Sequence, residues 1–108
     1  MNPDYAKFHT DRANLVIHIV AVPLFVIGTL RAGWLLGTGH PFRSYFWLWV
    51  PFFSLMLQAI GHRRERLPPE RFLGVRDFLK RVFAEQFYRF WQFLLSGGWL
   101  RNLRAARQ

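Results

Sequence analysis

Two short clusters of polar residues hold what chemistry this sequence offers. The first runs His9, Asn14, His18 and then Pro23; the second runs Gln58, His62, Glu65 and Pro69. A neutral imidazole offers a nitrogen lone pair and a carboxylate offers oxygen, so together they make a mixed donor set that suits iron, zinc or manganese. Donor type alone does not choose among these ions. The chain has no cysteine, which removes thiolate ligands and disulfides from consideration.

Spacing constrains how the clusters could meet. Asn14 stands four residues before His18 and shares its helical face, placed to hydrogen-bond a ring nitrogen and hold the tautomer that a metal needs. His9 and His18 are nine residues apart, which on one continuous helix turns through about 900° and leaves them facing opposite ways. His9 must therefore lie before the helix begins, and Thr10 or Asp11 can supply the cap that starts it. In the second cluster Gln58, His62, Glu65 and Pro69 recur at helical steps, which puts an amide and a carboxylate on the face of His62. Asn14, Gln58 and Glu65 are thus the candidate catalytic or supporting groups around His9, His18 and His62.

The elements that carry these residues read as membrane helices. Residues 15–30 and 45–60 are uncharged, although the chain as a whole carries a formal net charge of +9. Each run gives about 24 Å of helix, short for a hydrocarbon core of about 30 Å, and residues 32–36 extend the first. Spans are expected at 14–36 and 45–62, joined at Gly37, Gly39 and Pro41, with a kink or an opened hydrogen bond near residues 19–23 at Pro23. The second run opens with Phe46, Trp47 and Trp49, which suit a headgroup boundary. Pro68 and Pro69 break the helix, and residues 70–96 follow as one amphipathic interfacial helix. Along it, Glu85 stands alone among aromatics and is expected to face solvent, and the tail at 101–108 is expected to fray. The expected fold is all-α: a two-span membrane hairpin plus a C-terminal amphipathic helix, in a single domain.

A pI near 11.5 fits nucleic acid or an anionic membrane, and two charge-free blocks point to the membrane and away from nucleic acid. Basic residues cluster before the first run and after the second, which places both termini in the cytoplasm. The start of the chain has no small-residue cleavage site and does not read as a removable signal peptide. His9, His18 and His62 then share the cytoplasmic end, while His40 sits in the far loop. Arg63, Arg64 and Arg66 are placed to steer an anionic headgroup or a fatty-acid carboxylate, or serve only as topology determinants. Two short spans enclose little, so a homo-oligomer is expected.

In their order and spacing, His9-x4-Asn14-x3-His18-x4-Pro23 and Gln58-x2-Gly61-His62-x2-Glu65-x3-Pro69 resemble the small integral membrane proteins typified by the fungal 2-hydroxy fatty acid dioxygenase. The resemblance covers about residues 5–70. It implies an Fe(II)-dependent dioxygenase of fatty-acid α-oxidation that shortens 2-hydroxy fatty acids by one carbon. It further implies iron ligation by His9, His18 and His62, with Asn14, Gln58 and Glu65 as supporting or ligating groups. The expected location is an integral membrane, the cytoplasmic membrane of a bacterium or the endoplasmic reticulum of a eukaryote. The competing expectation is a non-catalytic lipid-binding or scaffold protein.

Overall fold

The computed structural model describes residues 3–65, 67 and 71–106. Arg66, Pro68 and Pro69, singled out above, lie outside the described residues. Among the described residues the chain is all-helical. A short helix α1 (Pro3–Lys7) precedes two long ones, α2 (Arg12–Gly37) and α3 (Pro41–Arg63). Then come α4 (Val75–Ala84), a π-helical turn (Glu85–Arg89), α5 (Phe90–Leu95) and α6 (Gly98–Ala105).

α2 and α3 form the antiparallel hairpin and are both long and apolar enough to cross a membrane, with mean hydropathies of 2.2 and 1.2 over their best stretches. Their mutual face uses small residues and backbone acceptors. Ser44 Oγ donates to Ala32 O at 2.7 Å, Ser54 Oγ donates to Ala21 O, and a Cβ placed on Gly28 would lie 2.7 Å from Val50 Cγ1. Such close backbone approach is how helices associate where no water drives apolar surfaces together. Their other faces leave Val16, Val20, Leu24, Ile27 and Trp34 on α2, and Phe46, Phe53 and Ile60 on α3, exposed. Apolar surface of that extent matches a lipid environment better than an aqueous one. α2 continues through Pro23, whose missing N–H leaves the Ile19 carbonyl without its helical donor.

The C-terminal half departs from a single amphipathic helix. α4 contains no buried residue, and Phe25 of α2 meets Phe83 and Phe87 edge-on at 6.0 and 6.2 Å. The π turn lets one extra residue into the helix, and the Gln86 carbonyl is taken up by the Trp91 indole at 2.8 Å. Beyond the left-handed Gly97, α6 folds back onto the start of the chain, so of the tail expected to fray at 101–108, residues 101–105 are helical. Trp99 and Leu103 pack on the core of Tyr5, Leu15 and Phe93.

Candidate metal centre

The three expected histidines meet. Their ligand nitrogens lie within 4.8 Å of one another, and the rings are mutually edge-on at centroid distances of 5.0 Å (His9–His18), 4.9 Å (His9–His62) and 4.9 Å (His18–His62). His40 caps α3 at the opposite end of the hairpin.

His9 arrives as spacing required, from outside α2. After α1 the backbone turns, Asp11 caps α2 by accepting from Asn14 N at 3.1 Å, and His9 swings beneath the helix start. Two stitches hold it there. Asn102 Nδ2 donates to Ala6 O at 3.0 Å and to His9 O at 2.8 Å, while the Trp99 indole donates to Leu15 O at 2.9 Å. The Tyr5 ring stacks on His9 at 4.0 Å.

Each ring is oriented by what its other nitrogen does. His9 Nδ1 lies 2.9 Å from Tyr5 O, and His18 Nδ1 lies 3.0 Å from Asn14 O. A carbonyl can only accept, so both Nδ1 atoms carry the proton and both Nε2 atoms present lone pairs. Those Nε2 atoms and His62 Nδ1 are buried and have no hydrogen-bond partner. Three unpartnered imidazole nitrogens brought together, two of them fixed as lone-pair donors, are an arrangement that a divalent ion can satisfy. Burial, reinforced by the nearby His18, lowers the pKa of His9 to about 2, which keeps its lone pair free at neutral pH.

The supporting residues take roles that their spacing did not suggest. The Asn14 side chain does not hold His18; its backbone carbonyl does. Its Nδ2 donates instead to Glu65 Oε2 at 2.6 Å. Glu65 lies past the end of α3, off the helical stripe, and its carboxylate folds onto the start of α2. Oε1 accepts from Thr10 N, Thr10 Oγ1 and Asp11 N, and Oε2 accepts from Asp11 N as well as Asn14. Both oxygens are therefore committed to binding the two helices together, in the place where a helix N-terminus favours negative charge. Gln58 pairs reciprocally with Gln86 at 2.9 and 2.8 Å and donates to Ser54 at 3.0 Å, locking the π turn to α3. Gly61 permits the closeness: a Cβ there would lie 2.2 Å from Asn14 Oδ1.

Glu85 does not face solvent as expected. Its Oε2 accepts from the Tyr5 hydroxyl and lies 3.8 Å from His9 Nε2 and 4.0 Å from His18 Nε2. Burial raises its pKa to about 7, against the lowering effect of Tyr5 and Arg89. Burial, then Glu85, raises that of Tyr5.

A cavity of about 630 Å³ opens beside His9, His62 and Glu85. Arg63, Arg81 and Arg89 supply its positive rim, and Leu55, Phe72, Phe78 and Val82 supply apolar wall. Arg64 does not line it; that side chain is half exposed and pairs with Asp11 at 3.2 Å. Arg81 and Arg89 were not singled out in the sequence, where they read as the polar face of an amphipathic helix.

Comparison with family models, characterised proteins and solved structures yields no match. The centre must be read from its own geometry.

Proposed function

We propose that this chain is an iron-dependent dioxygenase acting on 2-hydroxy fatty acids at the cytoplasmic face of a membrane. The observation that carries the reading is the convergence of three buried, unpartnered imidazole nitrogens at the edge of a cavity that is basic at its rim and apolar along its wall. His9, His18 and His62 would hold Fe(II), which when bound supplies the redox chemistry that O₂ cleavage needs. Three neutral imidazoles on one side of an ion leave positions for small ligands on the other.

The remaining steps belong to the chain. Arg63 at the cavity rim attracts the substrate carboxylate and fixes the head of the acid near the histidines. The apolar wall takes the first part of the acyl chain, and the exposed faces of α2, α3 and α4 border the lipid from which such a substrate partitions. Phe90 and Phe93, both buried beside His18 and His9, exclude water from the rear of the centre. The overall change balances without a co-reductant: a 2-hydroxy acid and O₂ give an acid one carbon shorter, carbon dioxide and water. The arginines at the site end favour a cytoplasmic orientation of that end in this reading, and a homo-oligomer would enclose the lipid-facing sides of the hairpin.

Fe(II) loading under anaerobic conditions tests the proposal. Wild-type protein in lipid nanodiscs is expected to bind about one iron per chain and to convert a long-chain 2-hydroxy fatty acid to the acid one carbon shorter, whereas the triple alanine variant of His9, His18 and His62 does neither. Iron binding equal in the two proteins sinks the metal-centre reading. Binding without turnover favours the non-catalytic lipid-binding alternative.

A further inference from the structure

The second carboxylate near the histidines, Glu85, has no structural duty like that of Glu65. Glu65 spends both oxygens on amide and hydroxyl donors of α2 and its lead. Glu85 Oε2 instead meets one phenol and faces two orphaned imidazole nitrogens at 3.8 and 4.0 Å. The same Nε2 atoms have no hydrogen-bond partner, so nothing but Glu85 and whatever lies between them answers their lone pairs. A lone pair facing a carboxylate oxygen is repulsive unless a positive centre, a proton or a bound cation, sits between the two.

Donors about 2.1 Å from one ion lie roughly 3.0 to 3.4 Å apart in octahedral or tetrahedral geometry, so Glu85 Oε2 needs to close on the His9 and His18 nitrogens by about 1 Å or less. The backbone is built to deliver it. The π turn starts at Glu85, and its extra residue lets consecutive side chains, Glu85 and Gln86, both turn toward the hairpin. Gln86 anchors to Gln58, and the Trp91 indole takes the Gln86 carbonyl, so the turn is fixed on both sides. Turns of this kind recur at functional sites because they re-aim one side chain without ending the helix. Tyr5, stacked on His9, holds Oε2 through its hydroxyl while a lone pair on that oxygen stays available.

We propose that Glu85 is the fourth protein donor of the centre, making it three imidazoles and one carboxylate, with Tyr5 as its positioning residue. This rests on the metal-centre reading above. The carboxylate lowers the net charge of a divalent site from two to one and biases it toward harder ions such as Fe(II) and Mn(II). It also places the single anionic donor on the cavity side, so an acidic ligand approaches an ion already partly neutralised.

Co(II) titration of the full chain in nanodiscs, followed by its visible absorption, provides the test. Wild type is expected to bind one ion per chain; Glu85→Gln, which keeps the shape and can still accept from Tyr5, should bind at least about tenfold more weakly with a shifted band. Glu85→Asp should fall between them. Unchanged affinity and spectrum in Glu85→Gln overturn the assignment while leaving the histidine site standing. Failure of wild type to bind Co(II) overturns both. Should Glu85→Gln lose its helical circular dichroism, wild-type protein carrying ¹³C in its glutamate carboxylates decides instead: pulsed EPR of the Mn(II) form must show a ¹³C nucleus one carboxylate away from the ion, and its absence overturns the assignment.

Discussion

The two ends of the α2–α3 hairpin are made from the same pair of helices and held by different forces. At the loop end the bonds are local: Thr38 Oγ1 donates to Trp34 O at 2.8 Å, Ser44 reaches Ala32, and Phe42 lies in the open at 83 % exposure. At the other end, bonds join residues 51 to 96 positions apart in sequence, from Asn14–Glu65 to Asn102–Ala6. Apolar packing of small residues specifies that two helices lie together, and it tolerates small shifts along their length. A network of buried hydrogen bonds does not, because a shift leaves more donors or acceptors without a partner. The contrast shows where the molecule needs positional accuracy, and it is the end with the histidines.

Breaking the polar end should cost most. Glu65→Ala leaves the Thr10 and Asp11 amides and the Asn14 side chain without their acceptor, and the expected loss is about 2 to 4 kcal/mol in denaturant unfolding. The same variant should weaken Co(II) binding, since His9 hangs from the turn that Glu65 braces. A variant as stable as wild type would show that the network is decorative.

The Gln58–Gln86 pair gives a finer measurement. Gln86→Leu strands the buried Gln58 amide at an expected cost of about 1 to 3 kcal/mol, and adding Gln58→Leu should recover part of that loss, because two apolar groups leave nothing unpaired. Strictly additive losses in this double-mutant cycle would remove the π turn from the list of polar anchors. The smallest effect belongs to the loop. His40→Ala should change stability by less than about 0.5 kcal/mol and leave metal binding untouched, and a larger effect on binding would mean that the two ends are coupled.

The hairpin was readable from sequence because long charge-free runs need no tertiary knowledge, and the histidine triad was readable because topology put three of the four at one end. The need for His9 to enter from outside α2 followed from the 100° step of a helix, and the Asp11 cap meets it. Other roles depended on details that leave no periodic trace. Asn14 was assigned a side-chain bond to His18, but the backbone carbonyl four residues back serves as well and frees the amide for Glu65. Glu65 was placed on a stripe that assumes α3 continues, and α3 ends at Arg63. Glu85 was assigned to solvent because it stands alone among aromatics, and a single π turn aims it at the histidines instead. Asn102 was read as part of a frayed basic tail and Trp99 was given no role, since their partners lie more than eighty residues earlier.

That last separation has a consequence for biosynthesis. Asn102 and Trp99 follow both membrane helices in the order of synthesis, yet they hold the backbone at His9 and Leu15. The α2–α3 hairpin can therefore form with the Glu65 brace in place before the last hold on the His9 backbone exists, and the histidine cluster is closed in full only when α6 emerges and folds back. Pairing of the two long helices and completion of the histidine cluster are thereby separated in time, and a chain halted before Gly98 would lack the Asn102 and Trp99 bonds to the segment that carries His9.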